Sequence, residues 1–136
     1  MRRVLALITL LATSSISNAA SVDKTIKECW DGNDHRGMSL CVGQRAAAAR
    51  SNLDADEDAM RHSIRNSRES AAYIQAVRKS FDESVESYRR YRANQCQLRE
   101  ALSAMGNASA EIKLACETEL DANRSERLKA GRWWLE

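Results

Sequence analysis

The chain contains no proline in 136 residues, and four of its five glycines fall at two places, Gly32/Gly37/Gly43 and Gly106. Proline breaks a helix because it lacks the backbone N–H and its ring strikes the preceding turn. A chain without it can run in long helices, and the places where glycine gathers mark breaks. The intervening segments are rich in Ala, Arg, Glu, Leu and Gln, which enter a helix at low entropic cost. The fold class predicted is all-α: a three-helix antiparallel bundle or hairpin with a short N-terminal helix, stapled by two disulfides.

The N-terminus reads as an export signal. Arg2 and Arg3 precede an apolar run, Val4 to Ala12, interrupted only by Thr9. Small residues follow, ending Ser17-Asn18-Ala19-Ala20, which places cleavage after Ala19. The apolar run is too short for a bilayer core, which needs about 20 residues. Residues 1–19 are thus expected to be a signal peptide and residues 20–136 a single domain with no integral membrane span. The expected location is periplasmic or secreted.

Export decides how Cys29, Cys41, Cys96 and Cys116 are read. An even number of cysteines in an oxidising compartment points to disulfides. No Cys-x-x-Cys pair occurs, and His35 and His62 stand at no zinc-ligand spacing from a cysteine. No metal or cofactor is expected. The whole chain carries 21 basic and 19 acidic side chains, so losing Arg2 and Arg3 leaves 19 of each. A neutral domain argues against nucleic acid, whose binding rests on surplus Lys and Arg. Sixteen of the 21 basic residues are Arg, which suits planar pairing at protein interfaces. A protein partner is the expectation.

Periodicity places the helices. Asp23 to Trp30 is a short helical lead-in, and Asp31 to Gly37 is a loop by composition. A long helix is predicted from about Ser39 to Ile64, with Val42, Ala46, Ala49, Leu53, Met60 and Ile64 inward and Asp56 interrupting. A second runs from about Ser67 to Met105 with a heptad seam: Ile74, Val77, Phe81, Ser84, Tyr88, Tyr91, Gln95, Leu98, Leu102 and Met105. Gly106-Asn107-Ala108 breaks it; this stretch and Ser109 match a glycosylation sequon but read as turn and cap. Ser109 is the predicted N-cap of a third helix, which carries Ile112, Cys116, Leu120 and Leu128 inward and stops near Gly131. Cys96 and Cys116 lie about ten residues either side of this turn. Residues equidistant from a hairpin turn face each other, so these two can bond, leaving Cys29 to Cys41. Four cysteines allow three connectivities, and this one is preferred.

The cysteine pattern resembles a known family. Cys29 with Met38-Ser39-Leu40-Cys41, the block Tyr88-Arg89-Arg90-Tyr91-Arg92-Ala93-Asn94-Gln95-Cys96, and Cys116, Arg124 and Leu128 are similar to the LprI-type lysozyme inhibitor domain. The resemblance spans about Glu28 to Leu128, so that residues 20–136 look like one such domain. It implies a helical periplasmic protein and marks Tyr88, Tyr91, Arg92, Arg124 and Leu128 as family-typical structural positions. Three features depart from the pattern: Tyr88 stands where Trp is usual, Asp121 stands where Thr is usual, and the acidic residue common a few places before the second cysteine is absent, with Arg36 and Gly37 in its vicinity.

No catalytic constellation is present, and the chain is not expected to be an enzyme. There is no Gly-x-Ser-x-Gly, His-Glu-x-x-His or phosphate-cradling glycine loop. Glu83/Glu86 and Asp56/Glu57 are carboxylate pairs on highly charged helices, and read as exposed faces. Arg92 and Arg124 are expected to pack their stems on the core and pair with carboxylates from other helices. Two candidate partner-binding groups remain. One is the disulfide-closed loop Asp31 to Arg36, whose cationic members His35 and Arg36 could meet the carboxylates of a lysozyme cleft. The other is an acidic face, Asp54, Asp56 and Asp58, that could hold a basic enzyme. The expected function is lysozyme-inhibitor-like binding; the alternative is a structural or assembly partner of the cell envelope. Trp133-Trp134-Leu135 is expected to fold over the open end of the hairpin.

Overall fold

A helix start leaves backbone N–H groups free, and a short polar side chain just before it can accept one of them. Three such residues set three of the four helices. The computed structural model describes residues 21–103 and 106–132. The proposed signal at 1–19, Met105, and the tail with Trp133 and Trp134 lie outside the described residues. Ser21 Oγ accepts from Lys24 N at 3.2 Å and opens α1, Val22–Trp30. Asp34 Oδ1 accepts from Gly37 N at 2.8 Å and opens α2, His35–Arg65. Ser70 Oγ accepts from Tyr73 N at 3.3 Å and opens α3, Ala71–Leu102.

The fourth helix, α4 (Ser109–Gly131), starts otherwise. Its N-cap is Ala108, with no side-chain cap bond, and Ser109 is the first helical residue rather than the cap. No strand occurs among the described residues, so the chain is all-α.

Asp34 also corrects the first loop. Composition predicts a loop through Gly37 and a helix from Ser39, yet the Asp34 cap starts α2 at His35. His35 and Arg36 therefore stand on the first turn of a helix, and only residues 31–34 remain as loop. Gly32 takes the left-handed conformation there, with φ 74°. Gly37 is helical, and a Cβ on it would meet Asn33 Oδ1 at 2.7 Å, so a side chain here would have to displace the Asn33 amide.

α4 is the centre of the bundle. It touches α1, α2 and α3, while α1 touches α2 and α4 but not α3. The disulfides pair Cys29 with Cys41 and Cys96 with Cys116, each with Cα atoms 5.5 Å apart, as the hairpin geometry predicts. All four sulfurs belong to one apolar cluster with Val22, Met38, Val42 and Ala115. Leu53, Met60, Ile64 and Val85 continue the buried surface towards the α2–α3 turn.

The heptad seam predicted for α3 is corrected by the packing. Tyr91, Leu98 and Leu102 are 54, 53 and 78% exposed, while Val85 and Cys96 are buried. The buried residues of α3 are Val85 and Cys96, eleven apart, with Ile74, Val77, Phe81, Tyr88 and Arg92 half-buried. An eleven-residue repeat follows a nearly straight helix at about 3.67 residues per turn, whereas a heptad needs left-handed supercoiling to stay inward. The burial of α3 follows the eleven-residue spacing, so the heptad positions turn out to solvent along its C-terminal half.

Candidate partner-binding surface

Where other bundles are apolar, the middle of this one is ionic. Glu57, 1% exposed on α2, accepts from Arg124 Nε of α4 at 3.2 Å and from Arg89 Nη2 of α3 at 3.3 Å. Asp121 of α4, also 1% exposed, accepts from Tyr88 Oη at 2.6 Å and from Arg92 Nη1 at 2.7 Å. The Arg124 guanidinium lies over the Tyr88 ring, 4.5 Å from its centre. Asp56 is bonded to the Ser125 hydroxyl, with Lys129 Nζ 3.6 Å away. Carboxylates buried this deeply are held by fixed cations and hydroxyls from the facing helices, as burial of charge requires.

This layer corrects the acidic face. Asp56 is 9% exposed and turned into the bundle, so the face cannot consist of three aligned aspartates. Glu57 is not an exposed carboxylate either, and pairs with Arg89 and Arg124 from the facing helices. Asp54 and Asp58 do face out. Asp54 lies 3.5 Å from Arg50 and 3.8 Å from Arg89, and Asp58 lies 3.0 Å from Arg61. Both are already matched by the chain's own arginines.

Of the family-typical positions, Tyr88, Arg92 and Arg124 meet in the ionic layer. Tyr91 does not: it is 54% exposed and lines a surface hollow with Leu120, Arg127 and the half-buried Leu128.

The disulfide-closed corner is different. Cys29–Cys41 ties the end of α1 to the second turn of α2, so everything between is held at both ends. Trp30, 53% exposed, projects from that corner, and His35 and Arg36 on the first turn of α2 are exposed as well. Trp30 meets His35 edge to face with ring centres 6.5 Å apart, and His35 Nε2 lies 3.3 Å from the Asn107 carbonyl oxygen. The corner is thus braced against the α3–α4 turn as well. Asn33 Nδ2 donates to the Cys29 carbonyl at 3.0 Å and closes the loop from within.

Compared with known proteins, the chain matches no family model, no curated protein and no solved structure. Its functional surface is therefore argued from its own geometry.

Trp30 was not singled out by sequence. A signal was present: Val22, Ile26 and Trp30 step by four along α1 while Thr25 and Cys29 are buried beside them. That stripe, with Leu102 of α3 and Ile112 of α4, lines a groove of about 780 Å³ running from the corner. No helix among the described residues is long and apolar enough to cross a membrane. Two disulfides persist in an oxidising compartment, and an exposed apolar groove with an aromatic at its mouth is a surface for contact with another molecule.

Proposed function

We propose that this chain is a periplasmic or secreted binding protein of the LprI lysozyme-inhibitor type, which blocks a lysozyme by protein–protein contact and catalyses nothing. The observation that carries the reading is the braced corner, where Trp30 meets His35 edge to face and Trp30, His35 and Arg36 are all exposed. Trp and Arg are the side chains that most often anchor interfaces. A corner already tied by Cys29–Cys41 loses little freedom on binding. A lysozyme cleft holds two carboxylates that a guanidinium can meet. Arg36 supplies that group, and the Trp30 ring supplies apolar area beside it.

The test is a cell-wall lysis assay with several lysozyme classes. The processed protein slows lysis by at least one of them. Trp30→Ala and the pair His35→Ala/Arg36→Ala each weaken the inhibition with helicity unchanged. Inhibition also declines as salt rises, because a cation–carboxylate contact at a cleft mouth is partly screened, the Debye length being about 8 Å at physiological ionic strength. Asp54→Asn with Asp58→Asn leaves inhibition intact, since both aspartates are engaged by the chain's own arginines. Failure against all the lysozymes sinks the reading and leaves the envelope-partner alternative, which the apolar groove favours.

A further inference from the structure

α1 and α3 do not touch, and the groove is the gap between α1 and the C-terminal end of α3. Two helices form its walls and Ile112 of a third forms its floor. Such a space has the shape left by one helix missing from a bundle. Val22, Ile26 and Trp30 line one wall, and Leu102, 78% exposed, stands on the other.

The rim carries a second, independent feature. Asp23, Lys27 and Asp31 edge the groove at four-residue steps and alternate in sign. All three are exposed, and none forms an ion pair with another described residue. The opposite edge of the same helix behaves differently: Glu28 is paired with Lys24 at 4.0 Å and with Arg45 at 2.5 Å. α1 satisfies its charges away from the groove and leaves them unmatched along it.

We propose that the groove receives an amphipathic helix of a partner protein. Its apolar face fills the space between Ile26, Trp30 and Leu102, and its flank carries basic, acidic and basic residues at four-residue spacing. The acid–base–acid order of the rim reads the same in both directions, so charge alone does not select the helix's polarity. A second copy of this chain is the poorer occupant. Laid in register, its α1 would bring Lys27 onto Lys27 and aspartate onto aspartate, and like charges at an interface repel. The inference goes beyond the lysozyme reading, since it concerns the groove rather than the His35/Arg36 edge and holds with or without that activity.

Two labelled helical peptides of about 18 residues, long enough to hold a helix, share one leucine–alanine face. One carries Lys-x-x-x-Glu-x-x-x-Lys along its flank and the other the reversed signs. Each is titrated into the processed full-length domain by fluorescence anisotropy. The first binds at least about tenfold more tightly, and Leu102→Asp abolishes the difference. Leu102 is so exposed that this variant keeps its fold, checked by circular dichroism. The triple variant Asp23→Lys/Lys27→Glu/Asp31→Lys inverts the order of the two peptides. Equal affinity for both peptides, or binding of neither, overturns the proposal. So does uptake of a fluorescent fatty acid without peptide binding. A concentration-dependent dimer in sedimentation that Leu102→Asp dissolves overturns it in favour of a second copy.

Discussion

Tyr88 of α3 donates its hydroxyl proton to Asp121 of α4 across 2.6 Å, inside the bundle. The bond joins a half-buried phenol to a carboxylate that is 1% exposed. A phenol needs an acceptor when it is buried, and a buried carboxylate needs donors. Each side chain supplies what the other requires.

Removing the hydroxyl tests that link. Tyr88→Phe leaves Asp121 with its arginine but without its shortest bond, and should cost about 1.5–3 kcal/mol in urea unfolding, as hydrogen bonds to charged groups do. Burial, reinforced by the bond to Asp121 and its negative charge, pushes the Tyr88 hydroxyl well above its ordinary value near 10. A raised tyrosine value means the folded state favours the neutral form. The contribution is therefore whole below about pH 10 and is lost as pH rises above it. Alkaline titration of the phenolate band should show one tyrosine ionising only with unfolding, and Tyr88→Phe should remove that step.

Glu57 and Arg124 give the largest expected loss. Arg124→Met strips one of two cations from a carboxylate that is 1% exposed, and should cost about 3–5 kcal/mol. Glu57→Leu with Arg124→Met should be milder than the sum of the single changes, because no buried charge then stands without its principal partner. Additive losses would show that the pair is not coupled.

Acid should loosen the α2–α4 contact near the disulfides. The Ser39 hydroxyl bonds Glu111 and holds its carboxyl below the usual value of 4.5, against the opposing effect of burial. A lowered carboxylate value means stability is whole above about pH 4.5 and is lost as pH falls through the folded value. Ser39→Ala should leave acid unfolding less steep while lowering stability near neutrality. An acid transition identical in the two proteins would remove Glu111 from this role.

The hairpin disulfide should matter for stability more than for shape. Cys96→Ser with Cys116→Ser opens a loop of 20 residues and should lower stability by about 3 kcal/mol by loop-entropy reasoning. Far-UV helicity should change little, since α3 and α4 also meet through Arg92–Asp121 at 2.7 Å. Loss of helicity on a large scale would mean the bridge is needed to form the hairpin at all.

Helix number and class, the positions of the breaks and both disulfides were legible in the sequence, because these depend on local causes. Proline and glycine act on their own turn, and two cysteines placed evenly about Gly106-Asn107 oppose each other in any tight hairpin. The start of α2 was also written locally, in the Asp34 cap, but the Gly and Asn around it outweighed that single side chain. What the sequence could not decide was the rotation of each helix about its axis. Heptad and eleven-residue repeats share Ile74, Val77, Phe81 and Tyr88, but part at Ser84 against Val85 and again further along, where Cys96 is buried and Leu98 and Leu102 are exposed. The same rotation decided the charges. Asp54, Asp56, Glu57 and Asp58 are near neighbours in the chain, yet two of them are buried and two exposed, because each step turns the helix by about 100°. Only the facing Arg124, Ser125, Tyr88 and Arg92 make burial of such carboxylates possible, and these partners lie 29 to 69 residues away in sequence.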